Sequence, residues 1–196
     1  VSAHLAYALA WAAFALGHSG LALPAVKRRL RPWLGRRYRL AYNIVAVLQV
    51  ALVMAVGGFA LGDRPAFALP GWLAAGMGVV HLVGWGLLLW AARFYDLGRL
   101  GGLAQLRGES EDEGLRLDGP HAYVRHPLYA AGFLILWGGA FNPLGLATAV
   151  WGSLYLLLGT WAEERKLVAL YGGAYLDYRA RVPALLPWRG RVPPPG

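Results

Sequence analysis

The sequence predicts an all-α integral membrane protein of about five transmembrane helices, and three observations carry that prediction. Of 196 residues, 58% are hydrophobic and only 15% are charged, against roughly 25% charged in a soluble domain. The apolar residues gather in uncharged stretches of about 20 residues, the length a helix needs to cross a hydrocarbon core of roughly 30 Å. The basic residues fall almost entirely into alternate connections between those stretches.

The spans follow in order. Leu5–Leu23 carries no charged residue. No basic residue precedes it, and it runs into Pro24 and a basic cluster, which suits a membrane anchor better than a cleaved leader. Leu40–Leu61 is also uncharged, with Asn43 and Gln49 as its main polar side chains. Leu69–Trp90 is interrupted only by His81. From Pro127 to Ala162 the chain is uncharged and too long for one crossing. Asn142-Pro143 near its middle is a turn signal, because the residue before a proline is pushed out of helical geometry. Pro127–Phe141 and Leu144–Ala162 are therefore expected as a helical hairpin. Its first arm is short enough to start inside protein or at the bilayer edge.

Charge fixes an expected orientation. Seven basic residues lie between the first two spans, five between the third and fourth, and six after the fifth, leaving Arg64 alone on the other side. The N-terminus is expected outside and the C-terminus in the cytoplasm, with a bacterial inner membrane as the location. The formal charge of +9 then reads as a collar for anionic lipid head groups; no nucleic acid and no protein partner is implied. The outer connections are short, so the chemistry is expected in the cytoplasmic segments 93–126 and 163–188. Residues 1–188 are expected as a single membrane domain. The mixed-charge run Arg107–Asp118 reads as a mobile loop, residues 163–188 as an amphipathic tail on the membrane face, and 189–196 as a disordered end. There is no cysteine, which removes disulfides, thiolate metal sites and a cysteine nucleophile together.

The densest polar run is Gly119-Pro120-His121-Ala122-Tyr123-Val124-Arg125-His126-Pro127-Leu128-Tyr129, entering the fourth span. Two readings fit it: Arg125 and His126 reach out to lipid phosphates, or they serve a site, since polar groups at a membrane border are costly unless paired or functional. The fifth span ends in Glu163-Glu164-Arg165-Lys166, and a hairpin brings Arg125 and Glu163 together. That pair is either a staple or part of a polar pocket for a zwitterion. His18 and His81 are intramembrane ionisable residues, for which a neutral, hydrogen-bonded role is the commoner one. No pair of histidines has convincing metal-ligand spacing, so no metal site is expected.

Gly119-Pro120, Arg125-His126-Pro127-Leu128-Tyr129, Glu163-Glu164-Arg165-Lys166-Leu167, Tyr171-Gly172, Tyr175, Tyr178 and Arg181-Val182-Pro183 resemble the C-terminal half of the isoprenylcysteine carboxyl methyltransferase and phospholipid methyltransferase superfamily. His18-Ser19, Ala22, Lys27 and Arg36-Arg37-Tyr38-Arg39-Leu40 are similar to its methanethiol S-methyltransferase and NnrU-like branches. The resemblance implies S-adenosyl-L-methionine bound where the hairpin meets the cytoplasm. It implies cofactor contacts from Glu113, Gly114, Leu115, Arg116, His121, Arg125, His126, Pro127, Leu128, Tyr129 and Glu163. His121 and Arg125 are the expected catalytic residues, and His18 and Thr160 the expected substrate contacts.

Two departures bear on the acceptor. His121 stands where the family usually has tyrosine. Gly159, followed by Thr160, stands where isoprenylcysteine enzymes carry a substrate-contacting arginine. A small hydrophobic or membrane-soluble acceptor, such as a thiol, is therefore expected ahead of a phospholipid or a prenylcysteine carboxylate. A non-catalytic, haem-binding membrane protein of the NnrU-like kind is the alternative from another class.

Overall fold

A computed structural model describes residues 2–109 and 114–192. It is all-helical: α1 (Ser2–Ala22), α2 (Pro24–Leu34), α3 (Tyr38–Leu61), α4 (Gly71–Ala92), α5 (Leu97–Gly101), α6 (Leu103–Leu106), α7 (Pro127–Gly138), α8 (Pro143–Tyr171) and α9 (Gly173–Arg181). Single 3₁₀ turns lie at Gly35–Arg37 and Gly119–Ala122. Among the described residues, four stretches are long and apolar enough to cross a membrane: α1, the run from Pro24 to Leu61, α4 and α8. Their outer faces leave Phe59 95% exposed and Leu16 and Trp72 each 76% exposed. Aromatic and aliphatic surface on that scale is tolerated by lipid, not by water.

The chain divides into two compact units, Val1–Pro65 with Asp96–Asp112, and Ala66–Tyr95 with Glu113–Gly196. In the first, α1 packs against α3 around Tyr7, Phe14, Val53 and Leu61, all buried. Polar side chains lock the pair. His18 Nε2 and the Tyr42 hydroxyl lie 2.6 Å apart, and the Tyr38 hydroxyl donates to the Leu21 carbonyl. The short helices α5 and α6 were not foreseen from sequence. They are tied to α3 through Asn43 Nδ2, which donates to the Leu100 carbonyl at 2.8 Å. Gly102, at φ +94°, lets that backbone approach Leu40, whose N would stand 2.6 Å from a Cβ at position 102.

In the second unit α7 lies along α4 and is joined to α8 by the Asn142-Pro143 turn. The Asn142 side chain caps α8 by accepting from Gly145 N at 2.7 Å, as an N-cap asparagine does. The predicted hairpin is present, with shifted ends. α7 stops at Gly138 after 12 residues, a rise of only about 18 Å. α8 runs 29 residues, about 43 Å, so it carries Glu163–Tyr171 past the thickness of a hydrocarbon core. Nothing between Leu144 and Tyr171 breaks a helix, and Gly172, at φ +54°, is the first residue that does.

Close packing of α4 on α7 depends on glycine. A Cβ on Gly84 would stand 2.7 Å from the Ile135 backbone N and 2.9 Å from Leu134 Cβ. His81 sits in the same contact: its Nδ1–H donates to the Ile135 carbonyl at 2.8 Å and its Nε2 accepts from Trp85 Nε1 at 3.0 Å. Both ring nitrogens are thus satisfied, and His81 links the two helices. Gly84→Val is expected to cost about 1–3 kcal/mol, the range for overfilling a packed core. Gly86→Val, where a Cβ meets nothing within 4 Å, is the control. Thermal unfolding in detergent measures both, and equal midpoints would show that the α4–α7 contact is loose.

Candidate active site

The polar run ahead of α7 is held in place by backbone. Gly119, at φ +55°, packs its bare Cα against the Phe94 ring, and Pro120 is fully buried. Arg125 N donates to the Pro183 carbonyl at 2.9 Å, and His126 N to the Ala184 carbonyl at 3.0 Å. The segment after α9 therefore lies alongside the entry to α7. Val192 N donates to the Ala122 carbonyl at 2.8 Å. Pro127 then opens α7 at a position where its missing N–H costs nothing.

One carboxylate organises the centre. Glu164 Oε1 accepts from Arg125 Nε at 2.7 Å, from His126 Nε2 at 2.8 Å and from the Tyr175 hydroxyl at 2.8 Å. Arg179 Nε lies 3.4 Å from its Oε2. Arg125 also donates through one terminal nitrogen to the Arg179 and Val182 carbonyls. The side chains of Arg125 and Glu164 are 9% and 11% exposed, so a charged cluster with this many donors resides inside the protein. Hydrogen bonding of that completeness is what makes buried charge tolerable. The ion pair expected between Arg125 and Glu163 is thus formed with Glu164 instead.

Glu163, the neighbouring carboxylate, is left on a different side of α8. Its side chain is 43% exposed, and its Oε2 lies 3.6 Å from His126 Nδ1. The Tyr129 hydroxyl also interacts with it, and the Tyr129 ring stacks on His126 with centroids 5.6 Å apart and planes 9° from parallel. Gly159, one turn earlier on α8, faces the Tyr129 hydroxyl, 3.8 Å from where a Cβ would stand.

His121 occupies the 3₁₀ turn. Its carbonyl accepts from the Tyr178 hydroxyl at 2.7 Å, and its Nε2 lies 3.1 Å from the Tyr95 hydroxyl. The residue is 7% exposed, and its Nδ1 has no hydrogen-bond partner among the described residues. Burial lowers its pKa from the ordinary value of 6.5; the charges of Arg116 and His126 push the same way, and Asp118 opposes them.

The stability consequence has a definite sign. Above about pH 6.5 the imidazole is neutral in both folded and unfolded chains. Below it the unfolded chain takes up the proton first, so stability falls with decreasing pH, by at most about 1.4 kcal/mol per pH unit, until the lower folded value is passed. His121→Gln is expected to flatten the fall in unfolding midpoint below pH 6.5, and an unchanged profile would mean that His121 is not held neutral.

The other expected residues are distributed as follows. Leu128 and Tyr129 are half-buried and Pro127 is buried. Leu115 packs with Leu117 on the Tyr175–Tyr178–Val182 core. Gly114 sits at φ +75°, Arg116 lies near enough to His121 for its charge to be felt there, and Glu113 lies outside the described residues. Thr160 faces another side of α8, lining a cavity of about 580 Å³ with Leu157, Trp161 and Glu164. Its hydroxyl donates back to the Leu156 carbonyl at 2.9 Å. His18 belongs to the first unit, beside Tyr42. Glu164, Tyr175 and Tyr178, which the sequence shows only as part of the motif, hold the site together. Tyr95 was missed outright, because no local pattern distinguishes it.

Fold and site define an all-α membrane protein with a hydrogen-bonded ionic centre at one end of a helical hairpin. The chain is 32% identical over 186 residues to methanethiol S-methyltransferase 2 of Bradyrhizobium diazoefficiens, covering 89% of this chain and 69% of that protein. It is 29% identical over 192 residues to methanethiol S-methyltransferase of Pseudomonas deceptionensis, covering 92% and 71%. A protein-S-isoprenylcysteine O-methyltransferase of Schizosaccharomyces pombe is 33% identical over 84 residues, 40% of this chain and 35% of that one. The chain belongs to the isoprenylcysteine carboxyl methyltransferase-like superfamily of membrane methyltransferases. No family-level sequence profile matches it, and no solved structure does.

Proposed function

We propose that this protein transfers a methyl group from S-adenosyl-L-methionine to a small hydrophobic or membrane-soluble acceptor, a thiol before an amine or a carboxylate. The observation that carries the reading is the division of labour between the adjacent carboxylates. Glu164 is consumed by the donors that build the site, whereas Glu163 keeps a half-exposed carboxylate beside an aromatic stack. The names of the relatives that align over most of this chain support the thiol.

The residues fit the cofactor. It carries an ammonium, a carboxylate, an adenine and a sulfonium. Glu163 would take the ammonium as a charge-assisted pair. Arg125 is engaged by Glu164 and two carbonyls, and Arg116, whose charge already acts at His121, would add positive potential for the carboxylate. Arg125 is accordingly assigned to positioning His126 and α9, in place of a direct catalytic role. The His126–Tyr129 stack offers a flat π surface to the adenine or the cation. When bound, the cofactor supplies an electrophilic methyl carbon for in-line displacement.

The protein's share is alignment, exclusion of water and removal of one proton. A thiol has a pKa of about 8.5 and is mostly un-ionised at neutral pH. His121, kept neutral by burial, would accept the S–H proton on Nδ1, with Tyr95 fixing the ring from the Nε2 side. Gly159 leaves the acceptor side of Tyr129 uncrowded, which favours small acceptors. The placement of the basic residues supports an orientation with the N-terminus outside and the site facing the cytoplasm of a bacterial inner membrane.

The test is transfer of a labelled methyl group by the purified protein in detergent, with methanethiol, longer alkanethiols, a prenylcysteine analogue and phosphatidylethanolamine as acceptors. Thiol methylation, lost in His121→Gln, is expected. Labelling of the lipid or the prenylcysteine in preference to thiols would overturn the acceptor class, and no transfer to any of them would overturn the activity.

A further inference from the structure

We propose that the groove between α2 and the Gln105–Glu109 segment of the first unit binds the headgroup of an anionic, hydroxyl-bearing glycerophospholipid. This inference is independent of the methyl-transfer site. The groove has a volume of about 860 Å³, and among the described residues it is lined by Arg28, Arg31, Arg36 and Arg39 with Glu109 as the one carboxylate. The guanidiniums of Arg28 and Arg36 in this concavity can meet a phosphate through paired N–H donors. Arg36 lies flat over Gly108, its Cζ 3.3 Å from where a Cβ would stand. Any side chain there would push the guanidinium off the groove wall.

Gln105 narrows the ligand further. It is only 7% exposed, and its Nε2 donates to the Arg99 carbonyl at 3.2 Å. Its Oε1 has no hydrogen-bond partner among the described residues. A buried amide oxygen needs a donor, and a phosphodiester has none to give. A phosphate that carries hydroxyls satisfies both the arginines and Gln105; phosphatidylglycerol and free glycerol phosphate share that chemistry. The membrane is the favoured source because of where the groove lies. The spanning-length helix α3 begins at it, with Tyr38 and Arg39 in its lining, and α2 leaves Trp33 88% exposed, with Leu23 at its N-cap 54% exposed. Tryptophan, leucine and arginine together on a short helix are what a bilayer interface selects.

The experiment titrates phosphatidylglycerol into the full-length protein in phosphatidylcholine nanodiscs, with retained lipid counted by native mass spectrometry. Arg28→Gln with Arg36→Gln is expected to weaken retention at least tenfold. Arg29→Gln with Arg37→Gln removes the same charge from residues outside the groove and is expected to change it less than threefold. Unfolding midpoints check that both doubles remain folded. Equal losses would overturn the site in favour of a diffuse charged collar. Phosphatidylmethanol, an equally charged phosphodiester without headgroup hydroxyls, should bind at least fivefold more weakly than phosphatidylglycerol, and Gln105→Met should erase that preference. No preference in the wild-type protein would overturn the role of Gln105. Displacement of the lipid by an equal concentration of glycerol 3-phosphate would overturn the membrane source.

Discussion

Glu164→Ala is expected to destabilise the protein by about 3–5 kcal/mol, the cost of removing one partner from a buried, hydrogen-bonded charge cluster. The magnitude follows from what stays behind. Arg125, 9% exposed at its side chain, would keep its charge with only the Arg179 and Val182 carbonyls to receive it. His126 and the buried Tyr175 hydroxyl would each lose an acceptor, and a buried donor without a partner costs about 1–3 kcal/mol. Part of the expense is therefore the orphaned guanidinium, which predicts the outcome of a double substitution. Arg125→Met with Glu164→Ala should be more stable than Glu164→Ala alone, because the uncompensated charge is gone. Unfolding midpoints of the single and double variants measure this coupling. Additive losses would mean that the cluster is solvated and that Glu164 is no keystone.

Glu163→Gln should do the reverse. Its carboxylate is 43% exposed, and a glutamine oxygen could still accept from His126 and Tyr129, so the midpoint should stay near wild type. Affinity for S-adenosylmethionine should fall by about 30- to 150-fold, the 2–3 kcal/mol of a hydrogen bond to a charged group. Calorimetry with the demethylated product S-adenosylhomocysteine sharpens the assignment. The product keeps the ammonium and lacks the sulfonium. If Glu163 holds the ammonium, both ligands lose affinity equally. If only the methyl donor binds more weakly, the carboxylate faces the sulfonium, and the ammonium must be held elsewhere. Unchanged affinity for both would remove Glu163 from the site.

Much of this organisation was legible in the primary structure. Uncharged runs of the right length marked α1, α3, α4 and the α7–α8 hairpin, and Asn142-Pro143 marked its turn, since these features act through local chemistry alone. The residues of the ionic centre were legible as types: an arginine and a histidine before α7, and two glutamates late in α8. Ends were less so. The fifth apolar run closes at Ala162, where hydropathy stops, but the helix goes on to Tyr171 because hydrogen bonding along its backbone is indifferent to the arrival of charge. α5 and α6 carry no strong periodic signal and exist through contacts such as Asn43 with the Leu100 carbonyl.

The amino-acid order by itself determined that this is an all-α membrane chain with acid, base and aromatic groups gathered at the ends of its last two helices. Only tertiary structure decided which of two adjacent glutamates does what. Successive residues on a helix point about 100° apart, so one of the pair had to face the Arg125 side and the other the Tyr129 side. Which of them meets Arg125 depends on how α7 and α9 close around α8. That choice gave Glu164 the architecture and left Glu163 partly exposed beside His126 and Tyr129.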